Sequence, residues 1–347
     1  MIKFSTCKIL ITTLTILLQQ NLVFSKCHCD NQTQGSDHKV SEALKYKLIA
    51  MASVSVASLI GVCLPIFAKN FSLVNPKNDL YLLVKAFAAG VILATGFVHI
   101  LPEAFEALTN PCIGEKPWRM FPFSGFVAMV GSTVTLIIET LVMGCHKRSK
   151  MTKAQTMNYD EETHADDRSN HVHSSSLASE RQDSADLRNV IVSQILELGI
   201  LLHSIILGIS LGVSANPNTI KPLVLVISFH QCFEGMGLGE CISQAQFKYY
   251  KIAIMVLFFG LIFPIGISIG IGISNIYHER SPKALIVEGF LLSASAGILI
   301  YMALVDLLAN DFMSTKMLRS FRLQLGPCFA LLMGLICMSI LALWEEA

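Results

Sequence analysis

Eight stretches of this chain, 46–68, 84–108, 121–143, 190–213, 222–242, 250–276, 284–309 and 321–344, stay apolar for roughly twenty residues or more between flanking charges, prolines or polar clusters. A helix gains about 1.5 Å per residue, so each stretch is long enough to cross the ~30 Å hydrocarbon core of a bilayer. Hydrocarbon offers no partner to a bare amide, and each stretch must therefore satisfy its own backbone as a helix. The expected fold is all-α, a polytopic membrane protein with eight transmembrane helices.

The composition excludes the main soluble classes. Charged residues make up 15% of the chain, where a soluble domain carries about 25%. The net charge is +1, with the Lys and Arg residues mostly in short segments between apolar runs, so there is no basic face for nucleic acid. The lipid bilayer is the partner the composition implies.

The segments outside the runs set the domain plan. Lys3 and Lys8 precede the short apolar run 9–18, and Val23-Phe24-Ser25 follows it, which reads as a signal peptide over 1–25. Residues 26–45 then form an extracellular segment, 46–144 hold helices one to three, 190–344 hold helices four to eight, and 345–347 form an extracellular tail. Residues 145–189 are rich in Ser, Asp, Glu and His, almost without aromatics. Such a segment cannot bury a core, and a disordered loop is expected. Lys69 and Lys77, then Lys147, Arg148, Lys150 and Lys153, then Lys248 and Lys251, then Lys316, Arg319 and Arg322 follow the odd-numbered runs, which puts those loops in the cytosol. A signal peptide and outside termini fit the plasma membrane, and equally an internal membrane of the secretory route.

The ten cysteines do not make a disulfide framework. Cys63, Cys232, Cys241, Cys328 and Cys337 sit in or near apolar runs and read as small apolar side chains. Cys27-His28-Cys29 leaves two readings open, a metal-binding group or a thiol paired with Cys112.

Ionisable side chains in mid-membrane are costly, and they mark a site or a path. His203 lies in the fourth run at a depth of ~15 Å from its outer end, and His230 and Glu234 lie in the fifth at ~12 to 18 Å from the same surface. The spacing of four stacks His230 and Glu234 on one helix face. Two neutral imidazoles and a carboxylate suit Zn(II), and also Fe(II) or Mn(II), better than Ca or Mg, which prefer all-oxygen shells. Ser204 and Gln231, each next to one of these histidines, offer either a weak oxygen ligand or a hydrogen bond that orients the imidazole. In the second run His99 and Glu103 repeat the i, i+4 pattern beside Pro102, as a further stop on a transport pathway. Glu139, Glu197, Glu288 and Asp306 read as interhelical hydrogen-bonding partners. No H-E-x-x-H zinc-protease motif and no clustered His pairs of a di-iron oxygenase occur, so an enzyme is not expected. A non-transporting metal sensor would need the same ligands.

The motifs His203-Ser204 with Gly208-Ile209-Ser210-Leu211-Gly212, then His230-Gln231-Cys232-Phe233-Glu234-Gly235-Met236-Gly237-Leu238-Gly239, then Ala94-Thr95-Gly96-Phe97-Val98-His99-Ile100-Leu101-Pro102 resemble the ZIP (Zrt/Irt-like) divalent metal transporters, in their plant-type branch. The run from Ser293 to Asp306 is similar as well. The resemblance implies an eight-helix bundle with outside termini that moves zinc into the cytosol, with iron, manganese or cadmium as further substrates and no cofactor. It implies a metal site from helices four and five, a homodimer, and an elevator-like motion of helices one, four, five and six against the rest. Iron or manganese as main substrate is the chief alternative. His164, His171 and His173 form a thin version of the family's His-rich loop. Leu207 stands where many members carry an acid, which implies a mononuclear centre.

Overall fold

The computed structural model describes residues 37–68, 79–114, 116–159, 169–214, 217–245, 247–274, 282–309, 312 and 321–346. The signal peptide, Cys27, Cys29 and His164 lie outside these residues, as do the side chains of His171 and His173. The helices are α1 (Asp37–Ala68), α2 (Asp79–Ala94, continued by Thr95–Ile100 and Leu101–Thr109), α3 (Phe123–Tyr159), α4 (Ser169–Val213), α5 (Pro217–Gln244), α6 (Tyr249–Ile273), α7 (Pro282–Tyr301, continued by Met302–Ala309) and α8 (Phe321–Glu346). The chain is a multi-pass, all-α membrane bundle.

Seven of the described helices are long and apolar enough to cross a membrane, and α5 is the one whose polar side chains disqualify it. Its burial explains how it is tolerated. Its neighbours shield it, so His230, Gln231, Glu234 and Glu240 are all buried in protein and not in lipid. The apolar windows of α2, α7 and α4 are 67%, 61% and 56% buried, whereas those of α3 and α8 are 17% and 22% buried. The first three are therefore central, and the last two present Phe126, Met129, Leu141, Phe329 and Leu332 outward, where a membrane protein meets lipid. Cys241 is buried, Cys63, Cys232 and Cys337 are half-buried, and Cys328 faces outward.

The segment expected as a disordered loop over 145–189 is shorter in structured terms. Helical backbone of α3 runs on to Tyr159 and that of α4 begins at Ser169. A helix satisfies its own amides and needs no core for that, and Ala, Lys, Gln and Met at 150–157 are good helix formers.

Packing sorts the helices into two halves: α1 lies against α5 and α6, and α4 against α6, while α2 lies against α8 and α7, and α3 against α7. Within the first half, Gly208 and Gly212 of α4 meet Gly266 and Gly270 of α6, and a Cβ on Gly270 would come within 2.7 Å of the Gly212 Cα. Gly61 and Gly239 likewise press on the Cys232 and Val62 carbonyls across α1 and α5. In the second half Gly90 and Gly334 join α2 to α8, and Gly131 and Gly297 join α3 to α7, again against backbone atoms. Gly96, Gly260 and Gly289 inside the halves meet side chains of Ile300, Leu59 and Leu108, but every backbone approach named above lies within a half, and where the halves face each other the glycines meet side chains alone. Gly199 of α4 meets side-chain atoms of Ile298 and Leu299, and Gly237 of α5 meets the end of Ile92.

Candidate metal centre

The second helix loosens where its histidine sits. Pro102 has no N–H to give, and just before it the ladder widens into a π-helical turn over Thr95–Ile100, closed by the Leu101 N–H reaching back to the Gly96 carbonyl. His99 lies in that turn and is buried. A second π-helical segment, Met302–Ala309, carries Asp306.

His203 of α4 and His230 of α5 face each other as the depth argument expects, with ring centroids 5.5 Å apart. The structure adds a third ring. His99 stands edge-on to both, 5.2 Å from His203 and 4.8 Å from His230. One nitrogen from each of the three imidazoles lies within 4.8 Å of the others. Tetrahedral zinc with Zn–N bonds of ~2.1 Å holds its donors about 3.4 Å apart, so small rotamer adjustments would close the three rings on one ion. The depth of His99 held the signal, since it sits as far from the end of the second run as His203 does from the end of the fourth, to within about one residue or ~1.5 Å.

Glu234 stands beside the group. Its Oε1 lies 3.2 Å from His230 Nε2, one turn along α5. Its Oε2 and both ring nitrogens of His203 are buried with no hydrogen-bond partner among the described residues. Each orphaned buried polar atom costs about 1–3 kcal/mol, a cost that a cation ligated by these atoms removes. Three converging imidazoles, with a carboxylate 3.2 Å from one of them, are groups that suit a borderline ion in a dry site.

Ser204 and Gln231 come together with each other. Gln231 Nε2 donates to Ser204 Oγ at 3.2 Å, and the hydroxyl lies 3.4 Å from Gln231 Oε1. Both are buried, and the pair pins α4 to α5 directly beside His203 and His230. Glu103 is half-buried one turn beyond His99. Leu207, one turn from His203, packs with Phe263 and Ile267 in an apolar cluster inside the first half. Glu139 and Asp306 are interhelical partners, and both bond to Arg188, a residue without a motif.

Residues 44–342 match the sequence profile described as ZIP Zinc transporter. The chain is 47% identical over 327 residues to Zinc transporter 5 of Oryza sativa subsp. japonica, covering 92% of each chain. It is 49% identical to Probable zinc transporter 12 of Arabidopsis thaliana over 91% of each chain. Fe(2+) transport protein 2 of Oryza sativa subsp. japonica is 42% identical over 89% of this chain and 88% of its own. An apolar eight-helix bundle, a buried histidine cluster at its centre and a profile match over nearly its whole length lead to one assignment: the chain belongs to the ZIP zinc transporter family.

Proposed function

We propose that the chain carries Zn(II) across the membrane into the cytosol, holding it in transit between His99, His203, His230 and Glu234. The observation that carries this is the convergence of three buried imidazoles from helices of both halves within 4.8 Å. His203, His230 and Glu234 belong to one half, and His99 to the other. An ion held by all of them can leave His99 when the first half slides past the second, and travel with its remaining donors. The role of His99 on the transport pathway is then to hand the ion over, with Glu103 beside it. Ser204 and Gln231 bond to each other and not to the rings, and act by holding α4 to α5 beside them. The side-chain contacts between the halves favour such sliding, because flexible tips can exchange neighbours where backbone contacts cannot.

The proposal places the protein in the plasma membrane as a homodimer, with His164, His171 and His173 as a cytosolic metal-binding tract. Uptake of radioactive zinc into liposomes holding the purified protein tests transport, and an uptake no greater than in empty liposomes would refute it in favour of a sensor. The relative named as an Fe(2+) transport protein supports a second substrate, since Fe(II) accepts the same donors. Competition of zinc uptake by Fe(II), Mn(II) and Cd(II) ranks the substrates.

A further inference from the structure

We propose that Arg188, Glu139 and Asp306 form a latch between the two halves, at the end of the bundle that carries the loop between α3 and α4, and that it must open to release the ion to that side. The proposal rests on the transport reading above.

Arg188 enters from α4, in the half that holds His203 and His230. It donates from Nε to Glu139 Oε1 of α3 at 2.9 Å, and from Nη2 to Asp306 Oδ1 of α7 at 2.6 Å. Both acids belong to the other half. Their side chains are largely withdrawn from solvent, at 11% and 1% exposure. Tyr301 donates to Glu139 Oε2 at 2.8 Å and holds that carboxylate for Arg188. A guanidinium can serve two separate carboxylates through different nitrogens, which a lysine ammonium does less well. Lys85 of α2 and Gln244 of α5 make a second tie across the halves, 3.5 Å long, and Gln244 is braced by Glu240 at 2.9 Å.

Between these ties lies a cavity of about 30 Å³, walled by Lys85, Arg188, Cys241, Gln244 and Asp306. That is room for a water molecule or two. The ties at the opposite end have another character. Lys47 donates to the Gly212 carbonyl at 2.6 Å, and Lys221 pairs with Glu42 at 3.1 Å, both joining helices of the same half. Sliding one half past the other therefore leaves these intact and breaks the Arg188 contacts. The latch has to be undone and remade in each cycle.

Cys241 is a built-in reporter, because its thiol is buried in the wall of this cavity. The full-length protein in liposomes is treated with a small thiol reagent, and labelling of Cys241 is followed by peptide mass spectrometry. Arg188→Gln and Asp306→Asn are each expected to raise its labelling rate roughly tenfold, and the double variant to add little more, because both open one and the same contact. Zinc stoichiometry at the histidine cluster should stay at the unmutated value. If Arg188→Gln does not fold, Arg188→Lys keeps the charge but spans the two acids poorly, and a smaller rise is expected. Labelling at the unmutated rate in folded variants, alongside normal zinc uptake, would overturn the latch. Absence of uptake by the unmutated protein would instead overturn the transport reading.

Discussion

Inside each half of the bundle, helices approach backbone to backbone at Gly61, Gly90, Gly212 and Gly297; between the halves Gly199 and Gly237 meet side chains of Ile298, Leu299 and Ile92, and the ties are the fork of Arg188, Lys85 with Gln244, and the Ser295 hydroxyl, which donates to the Gly199 carbonyl at 2.6 Å. The two kinds of surface respond differently to displacement. A glycine seated on a carbonyl fits one register only, since any shift drives backbone into backbone. Side-chain tips have several rotamers of similar energy and can trade partners as surfaces slide. The contrast puts the closest backbone approaches inside the halves and side-chain contacts between them, with the three buried histidines divided across that surface.

The largest effect that tests this division is at the donors of the first half. His203→Ala or His230→Ala should lower zinc uptake by about a hundredfold or more, because even groups that merely support a ligand are worth 10–100-fold in affinity. Folding should survive, since the glycine contacts of the half are untouched, and surface expression together with uptake measures both. Near-normal uptake in both variants would remove the site from the transport path.

Rigidity inside the halves is broken most directly at Gly297. A methyl there would collide with the Ala128 carbonyl of α3, and a carbonyl cannot rotate away. Gly297→Ala should destabilise the protein by about 1–3 kcal/mol, seen as a lower melting temperature of the purified protein. An unchanged melting temperature would mean that α3 and α7 are not locked.

His99→Ala sharpens the comparison from the other side of the site. If His99 only hands the ion over, its loss should weaken uptake by about tenfold, or ~1.4 kcal/mol, which is less than loss of either first-half histidine. A loss as complete as in His203→Ala would make His99 a permanent ligand.

What could be read from the sequence, and what could not, follows the same division. Seven spans were legible because hydrocarbon imposes one length and one backbone solution on them, whereas α5 is too polar to pass on apolarity and is tolerated by its burial in protein. His203, His230 and Glu234 were legible because a four-residue spacing and a short connection fix the neighbourhood of consecutive helices. His99 as a third ring was not, since no local rule says which distant helix faces α4 and α5. Arg188 was hidden for the same reason. It sits where the polar loop gives way to an apolar run, and reads as a flanking charge until Glu139 and Asp306 are seen beside it.

The smallest effect on stability should come from the same substitution that harms Gly297, made instead at Gly199. There a methyl would lie 3.0 Å from Ile298 Cγ2, the branch methyl carried on Cβ, and 3.1 Å from Leu299 Cδ2, so each neighbour has to give by only a few tenths of an ångström. Replacing a helical glycine by alanine returns roughly 0.5–1 kcal/mol of backbone entropy. Displacing the Ile298 branch methyl and the Leu299 tip costs about the same, on the order of 0.5–1.5 kcal/mol for off-rotamer displacement. The net change in melting temperature should therefore be near zero. Transport need not be spared, because in the proposed sliding mechanism the added methyl would have to pass Ile298 and Leu299 in every cycle. Gly199→Ala should lower the maximal rate of zinc uptake while leaving the half-saturating zinc concentration unchanged, since the donors are untouched. A melting temperature depressed as far as in Gly297→Ala would show that α4 and α7 are locked like helices of one half, and the division into two halves would fail at its central contact.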